Sequence, residues 1–175
     1  MPEIRIRAAG RDDVRLIVTF IHELAEYEKL AHEVVTREAD LEAALFGARP
    51  VAEAVIASLD GEPVGYALFF PSFSTFLGKP GLYLEDLYVR PAARGLGAGR
   101  RLLEHLARLA VDRGWGRFEW SVLDWNEPSI AFYRKLGARA MDEWTVFRVS
   151  GENLKRLAEK RGQSIQPPPT TTSPE

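Results

Sequence analysis

The stretch that most constrains this chain runs from Leu82 to Arg101, LYLEDLYVRPAARGLGAGRR. Its opening, Leu82 to Val89, reads as a strand, and Pro91 ends the ladder because it has no N–H to donate. Three glycines at alternate positions, Gly95, Gly97 and Gly99, then lead into an apolar run of helical period: Leu102, Leu103, Leu106, Leu109 and Ala110. Strand, glycine loop and helix start together aim backbone N–H groups at a phosphate. Glycine lets the backbone approach closely, and the helix N-terminus adds about half a positive charge. Arg94, Arg100 and Arg101 flank the loop with further positive charge.

Three patterns compete for this loop. A Walker loop ends in Gly-Lys-Ser/Thr, but Gly99 is followed by Arg100. A dinucleotide loop needs glycine at its sixth position, which counted from Gly95 is Arg100. The third pattern, Arg/Gln-x-x-Gly-x-Gly/Ala, is matched by Arg94-Gly95-Leu96-Gly97-Ala98-Gly99. It resembles the acetyl-CoA pyrophosphate loop of the GNAT superfamily of N-acetyltransferases. A plain turn between a strand and an amphipathic helix is the competing reading of the same residues, so the rest of the chain has to decide.

At 175 residues the chain suits one domain with a substantial core. Its 46% hydrophobic and 27% charged residues are those of an ordinary globular protein. A net charge of −2 argues against a nucleic-acid binder built on a basic face. Without cysteine, disulfides, thiolate metal sites and a cysteine-bound acyl intermediate are excluded. The opening, MPEIRIRAAGRDD, is charged and has no signal-peptide core, and no apolar run reaches spanning length. A cytoplasmic protein without membrane or nucleic-acid partners is expected. His22, His32 and His105 lack metal-ligand spacing, so no metal is expected.

Taken in order, Ile4 to Arg7 alternates as a strand, and a helix runs from Asp12 to near Leu30. Thr36 is positioned to cap a second helix that Gly47 ends. Ala52 to Leu59 and Val64 to Phe70 form a hairpin about Asp60-Gly61. Pro71 to Pro80 reads as a loop bearing Phe73 and Phe76. The central strand and helix follow, the helix closing at Gly114. Trp115 to Leu123 reads as a strand, Asn126 caps a short helix ended by Gly137, Trp144 to Val149 reads as a last strand, and a terminal helix runs through Leu157. Residues 162–175 are too polar and proline-rich to order themselves, leaving one domain over 1–161. Three consecutive strands before the glycine loop argue against a strictly alternating nucleotide fold.

Downstream, Asn126-Glu127-Pro128-Ser129 with Phe132-Tyr133 and Gly137-Ala138 is similar to the second cofactor-binding motif of GNAT enzymes. Glu23 to Glu28, Tyr83 to Val89 and Trp125 to Ser129 together resemble the spermidine/spermine (diamine) N-acetyltransferase branch. The resemblance covers roughly Ile4 to Ala158. It implies an α/β fold of the α+β kind: a mixed, mostly antiparallel sheet with splayed central strands, flanked by helices. It implies acetyl-CoA as co-substrate, contacted by the backbone of Leu87, Tyr88 and Val89 and by the loop amides of Arg94, Gly95, Leu96, Gly97, Ala98, Gly99 and Arg100. Asn126, Ser129 and Tyr133 would line the thioester end. It further implies a homodimer, for which Phe73, Phe76 and Trp144 offer apolar surface.

Acetyl transfer to an amine poses two proton problems. A primary ammonium has a pKa of about 10.4, so the attacking nitrogen must first lose a proton. The departing thiolate, from a thiol of pKa roughly 8.5, is best protonated as it leaves. Glu85, directly or through water, is the candidate base, and Tyr133 the candidate acid. A backbone N–H near Leu87 would hold the oxyanion. For the acceptor, Tyr27, Glu28, Glu85 and Glu143 match substrate-contacting positions of the diamine branch, and Asp86 adjoins the base. Such acids would steer and pair a polycation. The expected activity is acetylation of a primary amine, a polyamine or diamine, by direct attack in a ternary complex. A lysine-like or protein amine as acceptor, and a non-catalytic acyl-CoA sensor, are the alternatives.

Overall fold

The computed structural model describes residues 3–159. Alternating Ile4–Ala8 forms β1, which pairs antiparallel with β2, Glu53–Leu59. The Asp60-Gly61 turn joins β2 to β3, Glu62–Ser74, and β3 returns as β4, Lys79–Val89. A short β5, Phe118–Trp120, pairs parallel to β4, so the sheet is ordered β1-β2-β3-β4-β5. Helices are α1 (Val14–Tyr27), α2 (Glu38–Phe46), α3 (Ala98–Asp112), α4 (Glu127–Lys135) and α5 (Gly151–Glu159). This is the expected mixed, mostly antiparallel sheet flanked by helices.

One face of the sheet packs on α1 and α2. Val14, Ile17 and Phe20 recur at helical spacing and meet Leu41, Leu45, Ile56, Tyr66, Leu68 and Tyr88 in one buried cluster. Phe20 stacks on Tyr66 at 5.5 Å between ring centroids. The other face takes α3, whose Leu102, Leu103, Leu106 and Ala110 are buried. Because helices cover both faces, Ala54 to Ala57 are buried four in a row, where a one-sided strand would alternate.

Some expectations are corrected. Pro71 to Pro80 is largely strand: Phe73 opposes Pro80 and Ser74 opposes Lys79, which leaves a tip of four residues, 75–78. Arg37 precedes α2 in place of Thr36, because the Asp40 carboxylate reaches back 3.2 Å to the Arg37 N–H and fills the capping role. The strand expected over Trp115 to Leu123 shrinks to three residues. Trp144 to Val149 forms neither strand nor helix, since an alternating pattern makes no strand without a ladder partner. The 162–175 tail lies outside the described residues. The chain divides into two compact units between Ile130 and Ala131, within α4.

The feature that shapes the site is a bulge in β4. Phe69 opposes Leu84 and Leu68 opposes Asp86, so Glu85 is an extra residue with no partner on β3. The parallel ladder to β5 stops at the same place, since only 82–84 are paired with 118–120. From 85 to 89 the β5-side edge of β4 has no strand partner among the described residues.

Candidate active site

In the first unit α1 ends with a tight closure. Lys29 takes a positive φ of 63°, and the Leu30 N–H reaches back to the Ala25 carbonyl at 2.8 Å. A single 3₁₀ turn at Ala31–Glu33 follows and folds the chain back beside α1. Together with β4 these segments enclose a pocket of about 310 Å³ lined by Ile21, Leu24, Ala25, Glu28, Leu30, Glu33, Val34, Thr36, Glu85 and Asp86. Four of its ten lining residues are carboxylates and none is basic. Its lining combines negative charge with aliphatic side chains.

The carboxylates differ in setting. Glu85 is exposed at the bulge. Asp86 is half-buried and accepts a hydrogen bond from the Tyr66 hydroxyl at 2.8 Å. Burial raises the Asp86 pKa above the usual carboxylate range, the Tyr66 bond pulls it back, and the charge of Glu85 raises it further. Glu28 is raised too, by burial first and then by Asp86. Tyr66, fully buried beside Asp86, is held neutral by burial and by that charge. The cluster therefore carries repulsion that a bound cation relieves.

Beyond the unpaired edge, Arg90 leaves β4 and is held by Glu23 of α1 at 2.8 Å, while its guanidinium lies 4.8 Å from the Phe20 ring centroid. The hydrogen bonds from Arg90 depress the Glu23 pKa. The loop then enters α3 through Gly97, whose φ of 97° belongs to the left-handed region. No side chain caps α3, and the first intrahelical bond seen is from the Arg101 N–H to the Gly97 carbonyl at 3.0 Å. The N–H groups of Ala98, Gly99 and Arg100 open the helix in the manner that suits an anion. Arg94 turns away from that opening. Its Nε donates to the Val89 carbonyl at 2.9 Å, and its guanidinium lies over the rings of Tyr27 at 4.4 Å and Tyr88 at 5.9 Å.

Asn126 caps α4. Its Oδ1 accepts from the Ser129 N–H at 3.4 Å and from the Tyr27 hydroxyl at 3.2 Å. The second unit holds Tyr133, whose ring lies 5.5 Å from that of Phe132, and Glu143, exposed in a turn closed by the Trp144 N–H on the Met141 carbonyl. Of the residues expected from sequence, the first unit brings Glu28, Glu85 and Asp86 into one pocket. Leu87, Tyr88 and Val89 lie along the unpaired edge, and Arg94 to Arg100 run into α3. Tyr27 flanks the pocket without lining it. Glu33 and Tyr66 were missed. Glu33 sits in a turn with no periodicity to flag it, and Tyr66 reads simply as a core aromatic.

The comparisons with known proteins follow the same outline. The model of the acetyltransferase (GNAT) family matches residues 19–138. Thialysine N-epsilon-acetyltransferase of Sus scrofa is 40% identical over 171 residues, covering 91% of this chain and all of that protein. Spermidine/spermine N(1)-acetyltransferase-like protein 1 of Homo sapiens is 32% identical over 168 residues, 90% of this chain and 24% of that protein. Among solved structures, an integron cassette protein from the mobile metagenome of V. cholerae superposes with a TM-score of 0.74 at 26% identity, covering 90% of this chain and 98% of that one.

Proposed function

Because this chain belongs to the GNAT family of acetyltransferases, enzymes that use acetyl-CoA, we propose that it acetylates the terminal primary amine of a diamine or polyamine by direct attack in a ternary complex. The observation that carries the acceptor class is the pocket of four carboxylates and no basic residue beside the unpaired edge of β4. An alkyl diammonium matches it in charge and in its apolar stem.

The loop amides of Ala98, Gly99 and Arg100 take the pyrophosphate, and the free edge of Leu87 to Val89 pairs with the extended arm of acetyl-CoA. Asn126 and Ser129 border its thioester end. Glu85, standing out of the ladder at the bulge, takes the proton from the attacking ammonium directly or through water. Tyr133 returns a proton to the departing sulfur, and a backbone N–H near Leu87 carries the charge that develops on the thioester oxygen. Tyr27 and Glu143 complete the acceptor contacts. Residues 1–161 act as one catalytic domain.

A second reading, a lysine-like amino acid as acceptor, is favoured by the 40% identity to a thialysine acetyltransferase. Its α-carboxylate would then have to lie outside the acidic pocket. CoA release measured against putrescine, spermidine, lysine, thialysine and ornithine tests both. Turnover is expected with the diamines and spermidine. Turnover confined to the amino acids moves the assignment to the second reading, and no CoA release with any amine refutes the acceptor class altogether.

A further inference from the structure

We propose that Tyr27 is a positioning residue that ties the glycine loop to the start of α4, beyond any contact it makes with the acceptor. The inference rests on the acetyl-CoA reading of that loop. Three independent contacts converge on this side chain. The Arg94 guanidinium, from the first residue of the loop, sits 4.4 Å from its ring centroid. The Trp125 ring packs against it at 6.1 Å. Its hydroxyl donates to Asn126 Oδ1 at 3.2 Å, the same oxygen that accepts from the Ser129 N–H.

Both ends of this chain of contacts are anchored. Arg94 is fixed at its Nε by the Val89 carbonyl, so the guanidinium cannot swing out without losing that bond. Asn126 is only 5% exposed, and its carbonyl accepts from the Ile130 N–H at 3.0 Å. The last turn of α1 is held from below by the Glu23–Arg90 pair, 2.8 Å long. Tyr27 itself does not line the acidic pocket, whereas its neighbour Glu28 does. A residue that only contacted the acceptor would need none of these links. Through Tyr27, a ligand that stills the loop also stills the turn bearing Glu28 and the cap of α4. Acetyl-CoA and amine are therefore expected to favour one another's binding.

The test is amine-free acetyl-CoA binding by calorimetry, with steady-state kinetics alongside, on Tyr27→Phe, Tyr27→Leu, Arg94→Gln and the Leu/Gln double variant. Tyr27→Leu removes the π-face under Arg94 and should weaken acetyl-CoA about three- to thirtyfold. Tyr27→Phe keeps the ring, so it should restore that affinity while kcat falls about fivefold from the lost bond to Asn126. The double variant should bind no worse than the weaker single, because both remove one link. If Tyr27→Leu does not fold, Tyr27→Met fills the space without a π-face and carries the same expectation. Amine-free acetyl-CoA affinity unchanged in the Leu or Met variant, or fully additive losses in the double, overturns the proposal. A parent protein that fails to bind acetyl-CoA refutes the loop reading instead.

Discussion

Two glycines at opposite ends of α3 allow the backbone cost of a substitution to be separated from its effect on the ligand. Gly97 precedes the helix with φ 97°, and Gly114 follows it with φ 68°. A Cβ added at Gly97 would meet only Ile4 Cδ1, at 3.6 Å, and at Gly114 nothing within 4 Å. Neither alanine clashes with the protein, so both variants bear the same left-handed strain of roughly 1–2 kcal/mol. For a chain of this size each kcal/mol is about 2–4 °C in Tm, so both should melt about 2–8 °C early. Their ligand behaviour should diverge. At Gly97 the new methyl stands where the pyrophosphate approaches the N–H groups of Ala98 and Gly99. Losing one charge-assisted contact, about 1.5–3 kcal/mol, weakens acetyl-CoA roughly ten- to a hundredfold. Gly114→Ala should bind like the parent. Thermal melts and calorimetry on the pair decide. Equal Tm losses with acetyl-CoA affinity intact in both would mean that no phosphate approaches the α3 start. Gly97→Val should repeat the binding loss more severely.

Tyr133→Phe should lower kcat by about a hundred- to ten-thousandfold with acetyl-CoA affinity unchanged; full activity would reduce the phenol to packing. Glu85→Gln should lower kcat/KM near neutrality and recover part of it in alkaline buffer, where free amine is abundant. Absence of that recovery would remove Glu85 as the base. With Glu28 and Asp86 titrating above the usual carboxylate range, KM for a cationic acceptor should climb as pH falls through those raised values. The stability sign runs the other way: an acid with a raised folded pKa stabilises most below its unfolded value and loses that contribution as pH rises. Asp86→Asn should therefore raise Tm at neutral pH, and a lowered Tm there would refute the repulsion argument. Light scattering at micromolar concentration should give twice the chain mass, with Phe73 and the 94% exposed Phe76 on the β3–β4 tip as the apolar surface to mutate; a monomer mass sinks the dimer.

Periodicity and punctuation made much of this legible. The helical recurrence of Val14, Ile17 and Ala25 and of Leu102 and Leu106 marks two helices that do bury those residues, while the fully buried Phe20 went unread. The glycine loop and the Asn126 cap were legible because each residue type there has a local backbone reason. What failed was what depends on partners. The run 144–149 alternates like a strand and forms none, while Pro71 to Ser74, with two breakers of apolar character in four residues, pairs fully with β4. Glu33 entered the pocket through a turn whose course is set by the closure at Lys29. The Glu85-Asp86 doublet, two acids inside an otherwise apolar strand, was the one visible sign of the bulge; it reads as candidate base and acceptor contact and says nothing of the register.

That extra residue has a consequence for parity. Leu84, facing Phe69, and Asp86, facing Leu68, are two apart, which in a regular strand puts them on the same side. Here Leu68 belongs to the α1–α2 cluster, as Tyr66 and Tyr88 do, whereas Phe69, Leu82 and Leu84 bury outside it. Even-numbered positions thus serve one layer before Glu85 and the opposite layer after it. Substituting Glu85 alters only a side chain. Deleting it would leave Leu84 opposite Phe69 and Asp86 opposite Leu68 in an unbroken ladder, with Asp86 and Tyr88 still on the α1–α2 face. What the bulge adds is Glu85 itself, a carboxylate at the pocket that no ladder position holds, so a shortened β4 loses that group while keeping both layers in place.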